Sequence, residues 1–143
     1  MTLKKGKRYS PALYVPVLAR YGVGIVFFIF GIDQLVRPGT WIAWVPNSII
    51  NFATNFGASD IHFIYFNGLF DLIVGFLLLA GLFVRAVALI GALHIAGIIF
   101  SLGYNDISVR DFGLLLVLIS VFLNGPDELC LDKKLMKNLW WVI

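Results

Sequence analysis

Asp71 stands near the middle of an apolar run, Ile61 to Phe83, that is long enough to cross a lipid bilayer. With a hydrocarbon core ~30 Å thick and a helical rise of ~1.5 Å per residue, a carboxylate eleven residues beyond Asp60 lies ~16 Å deep. A charge at that depth costs at least ~2.5 kcal/mol and faces a bundle interior, a partner or a wet cavity. Asp71 is therefore the first candidate for a functional residue. Arg20, Asn67, His94 and Arg110 also lie in or at the edge of apolar segments. Together these five residues suit recognition of the polar head of an apolar molecule. Arg20 and His94 would donate to a carbonyl oxygen, Asp71 would accept or hold a proton, and Phe27, Phe28 and Phe30 would wall the tail.

A purely structural reading stands beside this one. Asp71 paired with Arg110 would lock the helices together, and His94 would hydrogen-bond Asn124, Ser120 or a backbone carbonyl. Counting ~1.5 Å per residue from the cytoplasmic ends places Arg20 and His94 roughly 9 and 12 Å in, with Asp71, Ser101 and Arg110 at roughly 21 to 22 Å. On that count Asp71 and His94 are not bonded directly, and Arg110 is the charge partner of Asp71.

The elements that must hold these groups follow from composition. Sixty per cent of the 143 residues are apolar and only 13% are charged, and the mean hydropathy is +0.92. A soluble domain of this size could not cover itself with polar surface on such terms, so the chain reads as an integral membrane protein. A formal charge of +3, grouped at the ends of apolar runs, excludes a nucleic-acid-binding stripe. The single Cys130 excludes an internal disulfide or a CxxC redox pair. It leaves room for a reactive thiol, against an inert cysteine standing in for a small residue. His62 and His94 fall at different depths, which argues against haem held by two histidines. Asp33, Asp60, His62 and Asp106 match no metal-ligand spacing and read as caps and interfacial residues.

Four spans are expected, at about 14–36, 61–83, 86–104 and 109–123, within one domain of residues 1–143. Ser10 and Pro11 start the first, and Pro38-Gly39 ends it. Ser108-Val109-Arg110-Asp111 has the form of a capping box opening the fourth, which stops at Gly125-Pro126. Lys4, Lys5, Lys7, Arg8, Arg85, Lys133, Lys134 and Lys137 fall on one side, against Arg37 and Arg110 on the other. The excess places both termini in the cytoplasm, in the plasma membrane. Trp41, Val45, Ile49, Phe52 and Phe56 recur at helical spacing opposite Asn47, Asn51 and Asn55, an amphipathic segment for the outer interface. Leu129, Met136, Leu139 and Trp140 alternate with Asp132, Lys133, Lys134 and Lys137, a basic helix for the cytoplasmic surface. Each span also carries a stripe of small and polar residues: Arg20, Gly24, Gly31, Gln34; Asn67, Gly68, Asp71, Gly75; Gly91, His94, Gly97, Ser101; and Gly113, Ser120, Asn124. Such stripes face one another in lipid, which makes the fold class an all-α, four-helix membrane bundle with a partly polar interior.

These segments resemble the DoxX family. Ala19-Arg20-Tyr21-Gly22 through Phe27-Phe28-Ile29-Phe30-Gly31-Ile32-Asp33-Gln34-Leu35 is similar to its opening helix. Gly68-Leu69-Phe70-Asp71-Leu72-Ile73-Val74-Gly75, with Leu79, Gly81 and Arg85, is similar to its second, with Asp71 where Glu is usual. Asn124-Gly125-Pro126-Asp127-Glu128-Leu129-Cys130-Leu131-Asp132 resembles its closing signature, with Cys130 for Ser. The resemblance implies a connection with quinone-linked or thiol-handling redox complexes, or with lipid-like ligands bound around a buried acid. The expected function is a non-catalytic membrane subunit of a quinone-linked or other redox complex. The alternatives are a lipid-like small-molecule binding or transport protein and a structural assembly factor. No cofactor of its own is expected, and a quinone or lipid is the expected bound molecule. Membrane lipids, other complex subunits or further copies of the chain are the expected partners.

Overall fold

The computed structural model describes residues 11–55, 57 and 59–135. The expectations that involve Lys4, Lys5, Lys7, Arg8, Ser10, Phe56, Met136, Lys137, Leu139, Trp140 and the side chains of Phe52 and Lys134 fall outside the described residues. A 3-10 turn, Pro11–Tyr14, leads into α1 (Val15–Val36), where Pro16 occupies the first turn and forfeits no helical hydrogen bond. Two short helices follow, α2 (Pro38–Ile42) and α3 (Asn47–Asn55), and then the long helices α4 (Asp60–Ala80), α5 (Val84–Leu102) and α6 (Asp106–Asn124) and the short α7 (Leu131–Leu135). Every regular element among the described residues is helical. Three helices, Ala12–Val36, Asp60–Ala80 and Val84–Leu102, are long and apolar enough to cross a membrane. The fourth long helix, α6, carries Asp106, Arg110 and Asp111 in its first two turns.

Local chemistry sets the ends. Gly81 adopts a left-handed conformation, φ 69°, and the N–H groups of Gly81 and Leu82 return to the carbonyls of Leu78 and Leu77. This closes α4 three residues before the expected Phe83. The cap of α6 also lies earlier than the expected Ser108: Asn105 accepts from the Ser108 N–H at 2.9 Å, and the helix starts at Asp106. The amphipathic stretch from Trp41 onward is not one helix, because Pro46 cannot donate to a preceding turn and α3 starts only after it.

Packing divides the long helices into two pairs, α1 with α4 and α5 with α6; the pairs meet where α1 crosses α6, while α4 and α5 touch sparingly. The α1–α4 seam is built from glycine. A Cβ on Gly31 would stand 2.5 Å from the Leu72 nitrogen, and one on Gly75 would stand 2.8 Å from the Phe28 Cα. The first two stripes face each other as expected, with Arg20, Gly24, Gly31, Gln34, Gly68, Asp71 and Gly75 all buried. The fourth does not: Gly113, Ser120 and Asn124 are exposed, and α6 turns Ser108, Asp111, Leu118 and Val121 inward. The apolar core gathers at one end, from Val23 and Phe27, Val74 and Leu78, Val84 to Ile95, and Leu118 and Val121.

The closing segment seals that end. Arg20, 1% exposed, donates to both carboxylate oxygens of Asp127, at 2.6 and 3.1 Å, and to the carbonyls of Leu78 and Leu79 at 2.5 and 3.2 Å. Asp132 accepts from the N–H groups of Phe83 and Val84 at 2.9 and 3.0 Å, capping α5 from 48 residues downstream. Cys130 packs on Gly81, where an added Cβ would come within 2.7 Å of its Cα.

Candidate functional site: a cavity between the helix pairs

Opposite the core the two pairs part and leave a cavity of about 520 Å³. It is bounded by the C-terminal halves of α1 and α5 and the N-terminal halves of α4 and α6, and Trp41, Trp44, Val45, Pro46 and Ile49 of the α2–α3 segment lie along its rim. Trp41 is fixed there, its indole N–H donating to Asp33 at 2.8 Å and its ring meeting Phe30 edge-on at 5.5 Å. His94, Gly97 and Ser101, spaced three and four apart on α5, share the wall facing the cavity.

Most of the lining is hydrocarbon, with one polar cluster. Asn67 donates to the Gln34 side-chain carbonyl at 2.7 Å, and Gln34 donates to Asp71 Oδ2 at 2.8 Å. Asn67 also reaches that oxygen at 3.4 Å. His94 Nε2 stands 3.3 Å from Asp71 Oδ1, within ion-pair distance. The two atoms nevertheless form no hydrogen bond with each other, and both are buried without a hydrogen-bond partner. Proximity alone does not satisfy them, because a hydrogen bond needs alignment as well as distance. Nearer the rim, Arg110 contacts Asp111 Oδ1 through Nε and Nη2, at 3.0 and 2.9 Å, and its guanidinium lies 5.4 Å from the Phe30 ring centroid.

Asn67, Asp71, His94 and Arg110 thus line one cavity, and two of the expected pairings are corrected. Asp71 meets His94 rather than Arg110. The turn Gly81–Phe83 is not part of a span, and counting from the true ends, Ala80 and Val84, places Asp71 nine residues and His94 ten residues in, ~14 and ~15 Å. Arg110, fourteen residues from Asn124, sits ~21 Å up and pairs with its neighbour Asp111 instead. His94 likewise bonds neither Ser120 nor Asn124, which face outward. Arg20 is the third correction, since its guanidinium is spent on Asp127 and two carbonyls at the opposite end. Gln34 and Asp111 belong to the site without having been singled out for it. Gln34 is legible in sequence as a polar member of the α1 stripe, whereas Asp111 stands there only within a capping pattern.

Cys130 is fully buried. Burial pushes its thiol up to about 11, the positive charge of Arg20 only partly opposing this, so it is an inert thiol rather than a reactive one. Burial works against ionisation of Asp127 as well, but hydrogen bonds from Arg20 and the Leu129 N–H, with the Arg20 charge, hold its carboxyl below the ordinary 3.8. Among the described residues no three metal-ligating side chains come together.

A small all-helical membrane protein with a polar-headed cavity between two helix pairs is the class that this fold and site define. The chain belongs to the DoxX family, whose sequence model matches residues 15–103, from the start of α1 to just past the end of α5. The closing segment with Asp127, Cys130 and Asp132 lies beyond that match. No curated protein and no solved structure matches the chain.

Proposed function

We propose that this protein binds an apolar molecule with a small polar head, a quinone or similar lipid-like compound, in the cavity between its helix pairs. The observation that carries the reading is the buried, unpartnered pair of polar atoms on Asp71 and His94 at the side of a largely apolar cavity. A scaffold has no use for that combination: unpaired polar atoms cost ~1–3 kcal/mol each, and glycine-rich helices could close the space. The volume falls within the range of roughly 300–1,000 Å³ typical of small-molecule sites. The binding reading is thereby favoured over the assembly factor. In a redox complex, such a chain would be the non-catalytic membrane subunit that holds the quinone. All four long helices span the plasma membrane in this reading, with both termini in the cytoplasm and the α2–α3 rim at the outer leaflet.

Gly97 supplies the test. It lines the cavity, and a Cβ there meets nothing within 4 Å. Gly97→Leu should fill the cavity without straining the helix. Native mass spectrometry of the wild type released from mild detergent should show a retained adduct of lipid mass that the variant lacks at unchanged melting temperature. Equal adducts on both proteins, or none on the wild type, would refute binding in this cavity.

A further inference from the structure

Resting on the binding reading above, we infer that the molecule held in the cavity carries a hydroxyl at its polar end, so that of a quinone-type compound it is the reduced, quinol form that is held, and that Asp71 and His94 recognise that hydroxyl jointly. Asp71 Oδ1 and His94 Nε2 are, among the described residues, the two buried side-chain polar atoms without a hydrogen-bond partner. The neighbouring polar groups are engaged: Asp71 Oδ2 by Gln34 and Asn67, Asp111 by Arg110, and the Ser101 hydroxyl by the Gly97 carbonyl at 2.8 Å. The unpaired atoms are 3.3 Å apart, so one oxygen entering between them after a small turn of a side chain can stand ~2.8 Å from both.

The chemistry of that oxygen follows from what the two atoms lack. With an ionised carboxylate and a proton on Nε2, the incoming group must donate to Asp71 and accept from His94. With the proton on the carboxyl and Nε2 bare, it must accept from Asp71 and donate to His94. A hydroxyl, both donor and acceptor on one rotatable atom, meets either demand. A ketone or ether oxygen only accepts, so in each case one buried atom stays unpaired. An ammonium only donates, and it would bring a second cation toward Arg110. A carboxylate or phosphate would face the charge of Asp71.

Neither atom presents surface to the cavity as it stands, so the hydroxyl must part them. Asp71 is held by a hydrogen bond from Gln34, whereas the His94 side chain is 20% exposed and lies against the Phe70 ring, 4.5 Å away between centroids. His94 is the partner that turns. Water has the same donor and acceptor pattern, but the rest of the wall, with Phe27, Ile64, Ile98 and Leu114, gives a chain of waters little to bond. Hydrocarbon fits that space.

A matched series isolates the hydroxyl. The full-length protein in nanodiscs is titrated with a 4-alkylcyclohexanol, its methyl ether and the corresponding 4-alkylcyclohexanone, all with one alkyl chain. The alcohol should bind about tenfold or more tightly than the other two, the discrimination expected when a site's polar atoms would otherwise go unpaired. His94→Phe should bring the alcohol down to the level of the ketone and leave the ketone unchanged. Asp71→Asn, nearly the same size, should shrink the preference even if His94→Phe does not fold. Equal affinities for all three probes on the wild type would overturn hydroxyl recognition while leaving amphiphile binding intact. Absence of binding by any probe, the result expected if the pair is bridged by water only, would overturn both.

Discussion

Buried carboxylates persist only with partners, and the partners of Asp71 and Asp127 show two different uses of the same group. Asp127 has a full complement: a bidentate arginine and a backbone N–H. Removing one side leaves an unpaired buried charge, so Arg20→Gln or Asp127→Asn should cost ~3–5 kcal/mol each. The double variant should cost clearly less than their sum in a double-mutant cycle read by denaturation in detergent; additive losses would dissolve the pair. The folded-state carboxyl of Asp127 lies below the ordinary 3.8, so its contribution is present above that value and is lost as pH falls below it. Melting temperatures should be flat from neutrality to about pH 4 and drop beneath, with the drop reduced in Asp127→Asn. Cys130, buried and raised to about 11, should resist iodoacetamide at neutral pH until the protein unfolds. Asp71, by contrast, keeps one oxygen unsatisfied beside His94, an arrangement suited to an incoming group rather than to a lock.

At the scale of helices, α1 and α4 are held by backbone-to-backbone contact. A methyl group at Gly75 or Gly31 would run into Phe28 or Leu72 main chain rather than a side chain that could turn away. Gly75→Ala should therefore destabilise by ~1–3 kcal/mol, whereas Gly113→Ala, with nothing near its Cβ, should be neutral or slightly stabilising. Thermal unfolding of the two variants side by side measures this difference. The helices themselves were legible because apolar runs bounded by Pro, Gly and capping residues have few alternative readings in lipid. What sequence hid was rotation and exact height. Assigning Gly81–Phe83 to the spans shifted His94 and Asp71 apart by several ångströms, enough to break a contact that the folded chain makes. Arg110 and Asp111 are adjacent, and periodicity alone did not tell which of them turns inward. The reach of Asp132 from the closing segment to the α5 N-terminus carried no local signal, because the partner N–H groups lie far away in sequence.

Across the whole molecule, packing density is divided between two ends. One holds the core and the Arg20–Asp127 pair, and the other holds the cavity under the α2–α3 rim. In the orientation proposed above, the packed end lies at the cytoplasmic face. A cysteine introduced at Gly57 should therefore be labelled by an impermeant reagent in intact cells while one at Lys137 is not; buried Cys130 gives no background. The reverse pattern would invert the topology. Photolabelling shows whether the cavity recognises an amphiphile. A diazirine-bearing, hydroxyl-headed amphiphile is cross-linked to the purified protein in nanodiscs, and the labelled peptides are mapped. Labels should concentrate on the cavity walls around Phe27, Phe63, Ile98 and Leu114 and disappear in Gly97→Leu. Labelling confined to outward-facing residues such as Phe66, Phe76, Leu93 and Phe100, unchanged by that substitution, would contradict recognition by the cavity.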